Sequence, residues 1–273
     1  MPVWSRIIIM LAAMLTFSCT PPSSAYYGES SPRTPLPDSL ELTRAAEDAL
    51  EIFDPPHLSL IEKQARNSAV KVIRPFEDGH GSGSYVKMHG RFIVITAAHV
   101  VGNYTTMIIE GRDDERVIGR VLYSDDKNDL AVILVPRLES RLPAPYRPRK
   151  DGNINLVGSK VNYTGFPGHH DLLTIRGDVA SFERDMIVIN MFGWFGASGS
   201  GVFDSHGRFL GVVSGIDVGQ WMFPMPLDNI VWVAPIWKLD DPIVEVRVKT
   251  AHDLELFKSF PGARSPRRGT ARD

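Results

Sequence analysis

The sequence predicts an all-β fold made of two β units, and three features of the chain support this prediction. After Asn67 the chain is a series of short apolar runs separated by turn residues, which is typical of strands in sandwiches and barrels. No long helical periodicity lies between these runs. Residues 137–150, which contain three prolines and five arginines or lysines, interrupt the series near its middle. We interpret this segment as a linker that joins two β units.

The apolar runs after Asn67 are each short enough for a single strand. Beyond Asp228 the chain carries a further apolar run, residues 230–236, and then residues 243–248, in which apolar and charged side chains alternate. We predict residues 241–273 as a C-terminal strand followed by a basic tail. The earlier predicted strands are residues 69–73, 84–88, 91–95, 107–109, 117–123, 130–135, 161–163, 186–189 and 210–213.

The composition excludes several classes of protein. With 43% hydrophobic and 23% charged residues, the 273-residue chain has the make-up of a folded globular protein. Its 30 lysines and arginines stand against 32 aspartates and glutamates, so no excess of positive charge favours nucleic acid as a partner. A single cysteine, Cys19, excludes an internal disulfide framework and a cysteine-rich zinc site.

Residues 1–25 have the layout of a signal for export. One positive charge, on Arg6, precedes eleven uncharged residues, 7–17, and a bilayer-spanning helix needs about 20 apolar residues, so this run is too short for a permanent anchor. The sequence is compatible with two ways of processing this signal. Cleavage before Tyr26 would follow small residues, whereas the residues that end in Cys19 resemble a bacterial lipobox, in which the cysteine is lipidated. Both predict an exported protein, secreted or in the cell envelope and periplasm, and the second adds membrane attachment through Cys19.

Residues 26–56 are predicted as a tether that ends in a short helix. The stretch rich in proline and serine lacks the apolar surface that would order it. A capping box at residues 38–41 then precedes apolar residues at helical spacing over residues 42–53, and Pro55 and Pro56 end the pattern. We therefore expect one short helix before the main domain.

Three local motifs carry side chains of types that take part in catalysis. His99 follows a continuously apolar run, Asp129 directly precedes another, and Ser198 lies in a glycine-rich turn over residues 196–201. Taken singly, each has an ordinary explanation, namely a buried histidine, an aspartate that caps a turn and a serine in a tight turn. Taken together, they place a base, an acid and a hydroxyl at strand ends of a two-unit β framework. This combination favours one shared site over three unrelated structural roles.

The motifs around these residues resemble those of trypsin-like serine proteases of the chymotrypsin fold. The resemblance runs over about residues 69–235 and is strongest for the disulfide-free bacterial branch that includes the HtrA-like proteases. The motifs that carry it are Thr96-Ala-Ala-His99, Asp129-Leu-Ala-Val132 and Gly196-Ala-Ser198-Gly199, with supporting glycine motifs at Gly81-Ser-Gly-Ser84 and Gly165-Phe-Pro-Gly168.

This resemblance implies the architecture and the boundaries of the main domain. It implies two six-stranded antiparallel β-barrels, the chymotrypsin-like double barrel, with a short N-terminal helix and a protease domain over residues 57–240. HtrA-like proteases often carry a peptide-binding PDZ module after the catalytic domain. Because 38 residues follow Pro235, we expect no PDZ module here.

The chemistry of peptide hydrolysis explains why these residue types occur together. A serine hydroxyl is a poor nucleophile that needs an adjacent base, and the unperturbed histidine pKa of about 6.5 suits this proton exchange. A carboxylate that accepts from the other imidazole nitrogen holds the ring in the useful tautomer. The resemblance thus implies His99 as general base, Asp129 as its orienting carboxylate and Ser198 as nucleophile. The order His, Asp, Ser is that of the chymotrypsin class.

The resemblance also implies an oxyanion hole and an edge that binds substrate. The backbone amides of Gly196 and Ser198 are expected to bind the negative oxygen of the tetrahedral intermediate. Ser214, Gly215 and Ile216 resemble the edge segment that pairs with the substrate backbone by β-augmentation.

Phe192 is expected near the base of the primary specificity pocket, where the family has the residue six positions before the nucleophile. An acidic residue there would select arginine or lysine, so Phe192 favours apolar substrate side chains. The alternative is that Phe192 and Trp194 are core residues and the pocket differs locally.

The expected partners are polypeptide substrates, cut through an acyl-enzyme without a cofactor. No metal site is expected, because the eight histidines form no His-Glu-x-x-His motif. Two alternatives stay open. One is a catalytically silent, envelope-anchored protein that binds peptides on the same fold, and the other is an inactive precursor activated by removal of the residues before residue 69. The oligomeric state is open.

Overall fold

The computed structural model of this chain describes residues 57–150, 156–168, 170–220 and 224–251. The predicted signal with Cys19, the tether, the helix predicted at residues 42–53 and the basic tail beyond residue 251 lie outside the described residues. Within the described ranges, none of the helices has the length and apolar character needed to cross a membrane.

The first half of the described chain forms a closed antiparallel barrel. Its six strands are β1 (Ala69–Ile73), β2 (His80–Met88), β3 (Arg91–Thr96), β4 (Thr106–Glu110), β5 (Arg116–Asp125) and β6 (Leu130–Leu134). They follow the order β1-β4-β5-β6-β3-β2, and pairing of β1 with β2 closes the barrel. A two-residue strand, β7 (Ala144–Pro145), adds to β2 in parallel from the segment predicted as the linker.

The second half forms another closed antiparallel barrel. Its six strands are β8 (Lys160–Gly165), β9 (Leu173–Glu183), β10 (Met186–Asn190), β11 (Gly201–Asp204), β12 (Phe209–Gln220) and β13 (Pro224–Pro235). They follow the order β10-β13-β12-β11-β8-β9, and β9 pairs with β10 to complete the circle. The predicted all-β double barrel of six strands each is therefore confirmed.

Each barrel has its own apolar core. Burial of apolar surface contributes roughly 25 cal/mol for each Å² removed from water, and neither core contains a disulfide, since the only cysteine of the sequence is Cys19. Packing therefore holds each barrel closed. The fully buried side chains of the first core include Tyr85, Ile93, Ile95, Met107 and Ile133, and those of the second include Tyr163, Ile187, Ile189, Val231 and Val233.

Two strands of the second barrel were not predicted. β9 mixes apolar residues with glycine and five polar or charged residues, and of its eleven residues only Val179 is fully buried, so its apolar signal is weak. β11 is four residues long and begins at Gly201, which makes it too short for a recognisable alternation. Both strands pair with β8, and this pairing stabilises an extended conformation that their own sequences do not indicate.

A short helix, α1 (Leu60–Ser68), precedes the first strand. This helix was not predicted, although its sequence carries a capping box at the start. Ser59 Oγ accepts from the Glu62 amide, and the Glu62 carboxylate accepts from the Ser59 amide at 2.8 Å. The buried Glu62 carboxylate also accepts from both the Nε and Nη2 groups of Arg176 on β9, the latter at 3.0 Å. This ion pair ties α1 to the second barrel.

The predicted C-terminal strand at residues 243–248 is wrong, because these residues lie in a helix, α3 (Asp241–Thr250). The Asp240 side chain caps this helix by accepting from the Ile243 amide at 3.1 Å, and a proline occupies its first turn, where no amide partner is lost. Val244 and Val248, four residues apart, are buried in the core of the first barrel. The apolar residues of this segment alternate with charged ones in sequence, as in a strand. The two buried valines are instead four residues apart, which is the spacing of one face of a helix.

The two barrels meet along a seam of buried polar contacts from β2. The Ser82 amide donates to the Ser198 carbonyl at 2.7 Å. The fully buried Ser82 hydroxyl donates to the Gly196 carbonyl at 2.7 Å and accepts from the Phe166 amide at 3.0 Å. Ser84 Oγ accepts from the Gly201 amide at 3.1 Å. A strand of the first barrel therefore holds the turn of the second barrel that carries Ser198, residues 196–201, which we call the serine turn.

We predict that Glu62→Gln lowers the free energy of unfolding by about 1.5–3 kcal/mol at pH 7, the usual contribution of a hydrogen bond to a charged group. The bonds from Arg176, ahead of those from Ser59, lower the pKa of Glu62 from 4.5 to about 2. Its charged form thus stabilises the fold above pH 4.5, and this contribution is lost as the pH falls from 4.5 towards 2. Urea unfolding of both proteins between pH 7 and 3 should show the difference shrinking with acid.

The matched control is Glu139→Gln, because Glu139 is an exposed partner of Arg137 at 3.6 Å. It should change the free energy of unfolding by less than about 0.5 kcal/mol. A difference between wild type and Glu62→Gln that stays constant with pH would contradict the assigned ion pair.

We predict that Ser82→Ala destabilises the protein by about 1–3 kcal/mol, because it leaves the Gly196 carbonyl and the Phe166 amide buried without their partner. Equilibrium unfolding in urea measures this change. The control is Ser181→Ala, which removes an exposed hydroxyl that donates to Glu183. Equal stabilities for the two variants would show that the seam bonds contribute nothing.

Candidate active site

His99 and Asp129 come together because the strands beside them are neighbours. β3 and β6 pair with Thr96 opposite Ala131, so the residues just after β3 lie beside those just before β6. His99 lies in a one-turn helix, α2 (Ala98–Val101), and Asp129 ends the turn between β5 and β6. His99 Nδ1 lies 3.0 Å from both carboxylate oxygens of Asp129, and the His99 amide donates to Oδ1, also at 3.0 Å.

The Asp129 carboxylate, whose side chain is 17% exposed, accepts hydrogen bonds from several donors. Besides His99, the Ser214 hydroxyl donates to its Oδ2 oxygen. Burial alone would raise the pKa of Asp129, but the hydrogen bonds from His99 and Ser214 outweigh burial and hold the pKa below its usual value. Asp129 also has a φ of 53°, a left-handed conformation that aspartate tolerates better than most side chains. The carboxylate is therefore charged at neutral pH and fixed in orientation.

Ser214 was predicted as part of the substrate edge, and its side chain has a contact that the sequence did not reveal. The register of β12 against β13 shifts between Val213 and Gly215, so Ser214 is the extra residue of a β-bulge. Bulges redirect a side chain out of the regular alternation. Here the Ser214 hydroxyl reaches across from the second barrel to Asp129 in the first. Gly215 and Ile216 follow in regular pairing with Trp232 and Val231.

Ser198 and His99 line the same open cleft between the barrels, which has a volume of about 280 Å³. The His99 side chain is 49% exposed, so the imidazole is accessible from the cleft. Among the described residues, no hydrogen bond joins Ser198 Oγ to the imidazole. Such contacts are often long in a free enzyme and tighten with substrate, so the shared cleft is the relevant observation.

The turn that carries Ser198 leaves two amides without acceptors. Among the described residues, the amides of Gly196 and Ser198 donate to no group, whereas those of the neighbouring Ala197, Gly199 and Ser200 do. Gly199 has a φ of +88°, and a Cβ there would lie 2.1 Å from both the Ser82 carbonyl and Thr96 Oγ1, so glycine is required for this close approach. Unpaired amides beside a hydroxyl form a ready site for a negative oxygen.

The direction of the Gly196 amide is fixed from behind. The Gly168 amide donates to the Phe195 carbonyl at 2.6 Å. Because a trans peptide is planar, its carbonyl and N–H point in opposite directions, so this bond turns the Gly196 N–H away from Gly168. Gly196 itself has a φ of +92°, and a Cβ there would lie 2.5 Å from the Phe166 carbonyl. The Gly165–Gly168 motif thus supports the turn that carries Ser198.

Phe192 and Trp194 are not core residues, since their side chains are 41% and 38% exposed. The Phe192 carbonyl accepts from the buried Tyr163 hydroxyl at 2.9 Å, which holds the backbone of this segment against β8. The next residue is Gly193, whose Cβ would lie 2.7 Å from a Val231 methyl and 2.9 Å from an Ile216 methyl. Apolar side chains therefore surround the backbone beside Phe192.

Over the described ranges, no group of three or more histidine, cysteine, aspartate or glutamate side chains has an arrangement that would hold a metal ion. The chemistry available at this site is that of an imidazole, a carboxylate, a hydroxyl and two backbone amides.

Comparisons with known proteins point in the same direction as this geometry. Residues 81–212 match the family model described as the trypsin-like peptidase domain, a region that contains His99, Asp129 and Ser198. The protein named serine protease HtrA-like from Staphylococcus aureus (strain bovine RF122 / ET3-1) is 24% identical over 221 residues. The match covers 71% of this chain and 28% of that protein, so the chain spans about a quarter of the relative's length.

Solved structures show the same fold. Rv3671c from M. tuberculosis H37Rv, in an inactive form with a serine-to-alanine substitution, has a TM-score of 0.54 at 20% identity, covering 73% of this chain and 95% of that one. The serine endoprotease from Yersinia pestis has a TM-score of 0.52 at 16% identity, covering 76% and 69%. Together with the motifs and the double barrel, these findings show that residues 81–212 are similar to the trypsin-like peptidase domain.

Proposed function

We propose that this protein is a serine endopeptidase in which Ser198 is the nucleophile, His99 the general base and Asp129 the residue that orients it. The observation that carries the proposal is the hydrogen-bonded pair of His99 and Asp129 at the edge of the cleft that Ser198 also lines. Polypeptides are the proposed substrates, and the reaction needs no cofactor.

The reaction proceeds in two halves. His99 takes the proton of the Ser198 hydroxyl as its oxygen attacks the carbonyl carbon of the scissile peptide bond. The tetrahedral intermediate collapses with cleavage of the C–N bond, and His99 gives the proton to the leaving amine, which leaves an acyl ester on Ser198. Water then attacks the ester carbon and loses a proton to His99. The ester C–O bond breaks, and His99 returns the proton to Ser198 Oγ, which releases the acid and restores the hydroxyl and the neutral imidazole.

Asp129 supports this cycle through the other imidazole nitrogen. Its carboxylate lies 3.0 Å from His99 Nδ1 and stays charged, so it keeps the proton on Nδ1 and leaves Nε2 free to act as base. The same negative charge stabilises the imidazolium that forms during attack. The bond from Ser214 removes one of the orientations that the carboxylate could otherwise adopt.

The amides of Gly196 and Ser198 are the proposed oxyanion hole. Negative charge develops on the carbonyl oxygen of the substrate during attack, and these two amides, which have no acceptor among the described residues, can donate to that oxygen without breaking an existing bond. Removal of one donor of this kind typically lowers the rate by a factor on the order of a hundred to a thousand.

Substrate specificity is proposed to follow from the segment around Phe192 and the edge of β12. Gly215 and Ile216 would pair with the substrate backbone by β-augmentation. The methyl groups of Ile216 and Val231 that crowd Gly193 give this region apolar walls, which supports a preference for apolar side chains before the scissile bond.

We predict that a fluorophosphonate probe labels the wild-type protein and that Ser198→Ala abolishes the labelling. His99→Ala should slow it by a factor of about 10² to 10⁴, because a general base contributes that much to attack by serine. Mass spectrometry of the labelled protein identifies the modified residue and gives the rate.

The control is Ser205→Ala, which removes an exposed hydroxyl beside His206 and should be labelled at the wild-type rate. If folded protein is labelled neither at full length nor after removal of the residues before residue 69, the proposal fails and the silent peptide-binding alternative is supported. If labelling appears only after that removal, the precursor alternative is correct.

We predict that a peptide library is cut mainly after apolar residues. If Phe192 lies at the base of the pocket, Phe192→Asp should increase cleavage after arginine and lysine relative to apolar residues by about tenfold or more, because it places a charge where these side chains end. Phe76→Asp, at a fully exposed position, is the control and should leave the preference unchanged. Dominant cleavage after arginine or lysine by the wild type would overturn the pocket assignment.

A further inference from the structure

Arg74 lies just after β1, and its guanidinium contacts the helix that carries His99. Its Nη2 group donates to the His99 carbonyl at 2.5 Å, and its Nε group donates to the Val100 carbonyl at 2.9 Å. The sequence carries no local signal for these two bonds, because they join Arg74 to residues 25 and 26 positions further along the chain. Arg74 also lines the cleft that contains His99 and Ser198.

These two carbonyls need a partner from outside the helix. The last carbonyls of any helix have no intrahelical donor, and α2 is a single turn. The Gly102 amide donates to Ala98 and the Tyr104 amide to Val101, whereas in the described chain no backbone amide donates to His99 or Val100. Arg74 therefore satisfies the two acceptors that the turn leaves open.

Arg74 is itself held in place by a second pair of side chains. Its Nη1 group donates to Glu77 Oε2 at 3.0 Å, and the Tyr104 hydroxyl donates to Glu77 Oε1 at 2.6 Å. The Tyr104 bond, followed by that of Arg74, lowers the pKa of Glu77, so the carboxylate is charged at neutral pH. Tyr104 packs against the core of the first barrel, which anchors the assembly to rigid structure.

The backbone of His99 is thus bound on both sides. Its amide donates to Asp129 Oδ1 at 3.0 Å, and its carbonyl accepts from Arg74. With both groups fixed, the remaining freedom lies in the side-chain torsions, and the contact between Nδ1 and Asp129 restricts those. Catalysis is sensitive to such placement, since a displacement of about 1 Å can lower a rate by a factor on the order of a hundred.

We propose that Arg74 is a positioning residue for the reaction, which holds the one-turn helix α2 so that the imidazole of His99 faces Ser198. The guanidinium suits this role because its planar fork donates to two adjacent carbonyls and to a carboxylate at once, whereas a lysine ammonium lacks this geometry. The inference rests on the proposed function, in which His99 is the base.

The test is the kinetics of fluorophosphonate labelling of Arg74→Met, which keeps the length of the side chain and removes its donors. The maximal rate of labelling should fall about ten- to a hundredfold, with little change in the probe concentration for half-maximal rate. The melting temperature should stay within a few degrees of the wild type, since Arg74 is partly exposed. A merely structural role would lower the melting temperature and leave the maximal rate of the folded protein unchanged.

Arg137→Met is the matched control, because Arg137 is an exposed arginine that pairs with Glu139, and its rate should equal that of the wild type. If Arg74→Met does not fold, Arg74→Lys decides: a rate at least threefold below wild type supports the inference, and a wild-type rate overturns it. Rapid labelling of wild type and Arg74→Met alike overturns the role of Arg74 and leaves the proposed function intact. No labelling of wild type overturns the proposed function itself.

Discussion

The structure depends on a small set of directional contacts between two barrels that are otherwise held by packing. Apolar burial closes each barrel, but it is non-directional and does not fix how one barrel faces the other. The bonds of Ser82 to Ser198, Gly196 and Phe166 do so, because each joins a strand of the first barrel to the turns of the second within 3.0 Å. The position of the serine turn follows from this seam.

The seam also explains how the serine turn keeps an unfavourable backbone. Gly196 and Gly199 adopt positive φ angles, and within the described part of the chain the amides of Gly196 and Ser198 have no acceptor, so the turn forgoes hydrogen bonds that a relaxed loop would make. Such a conformation persists where the surroundings determine it more than once. Here Ser82 fixes the Gly196 carbonyl and Gly168 fixes the Phe195 carbonyl, so the peptide planes on both sides of Gly196 are held in place.

The sequence predicted the double barrel, and it singled out His99, Asp129 and Ser198 for the candidate site, because both depend on local patterns. Apolar runs mark strands, and the residues around His99, Asp129 and Ser198 have a recognisable order. The contacts that position these residues were not predictable. The bulge that turns Ser214 towards Asp129 depends on the register of two strands, and residues 243–248 fit two periodicities, of which the barrel core selects the helical one. Local signals name the groups, whereas tertiary contacts orient them.

The division of groups between the barrels accounts for the importance of Asp129. His99 and Asp129 belong to the first barrel, and Ser198 to the second, so any relative shift of the barrels changes the distance between the imidazole and the hydroxyl. The Ser214 bond to Asp129 crosses this boundary at the carboxylate, and the Ser82 bond to Ser198 crosses it at the hydroxyl-bearing turn. The two crossings lie on opposite members of the site. One contact acts on Asp129 and the other on the turn that carries Ser198, so each resists rotation of the barrels about the other. Together they hold the geometry of the cleft without a disulfide.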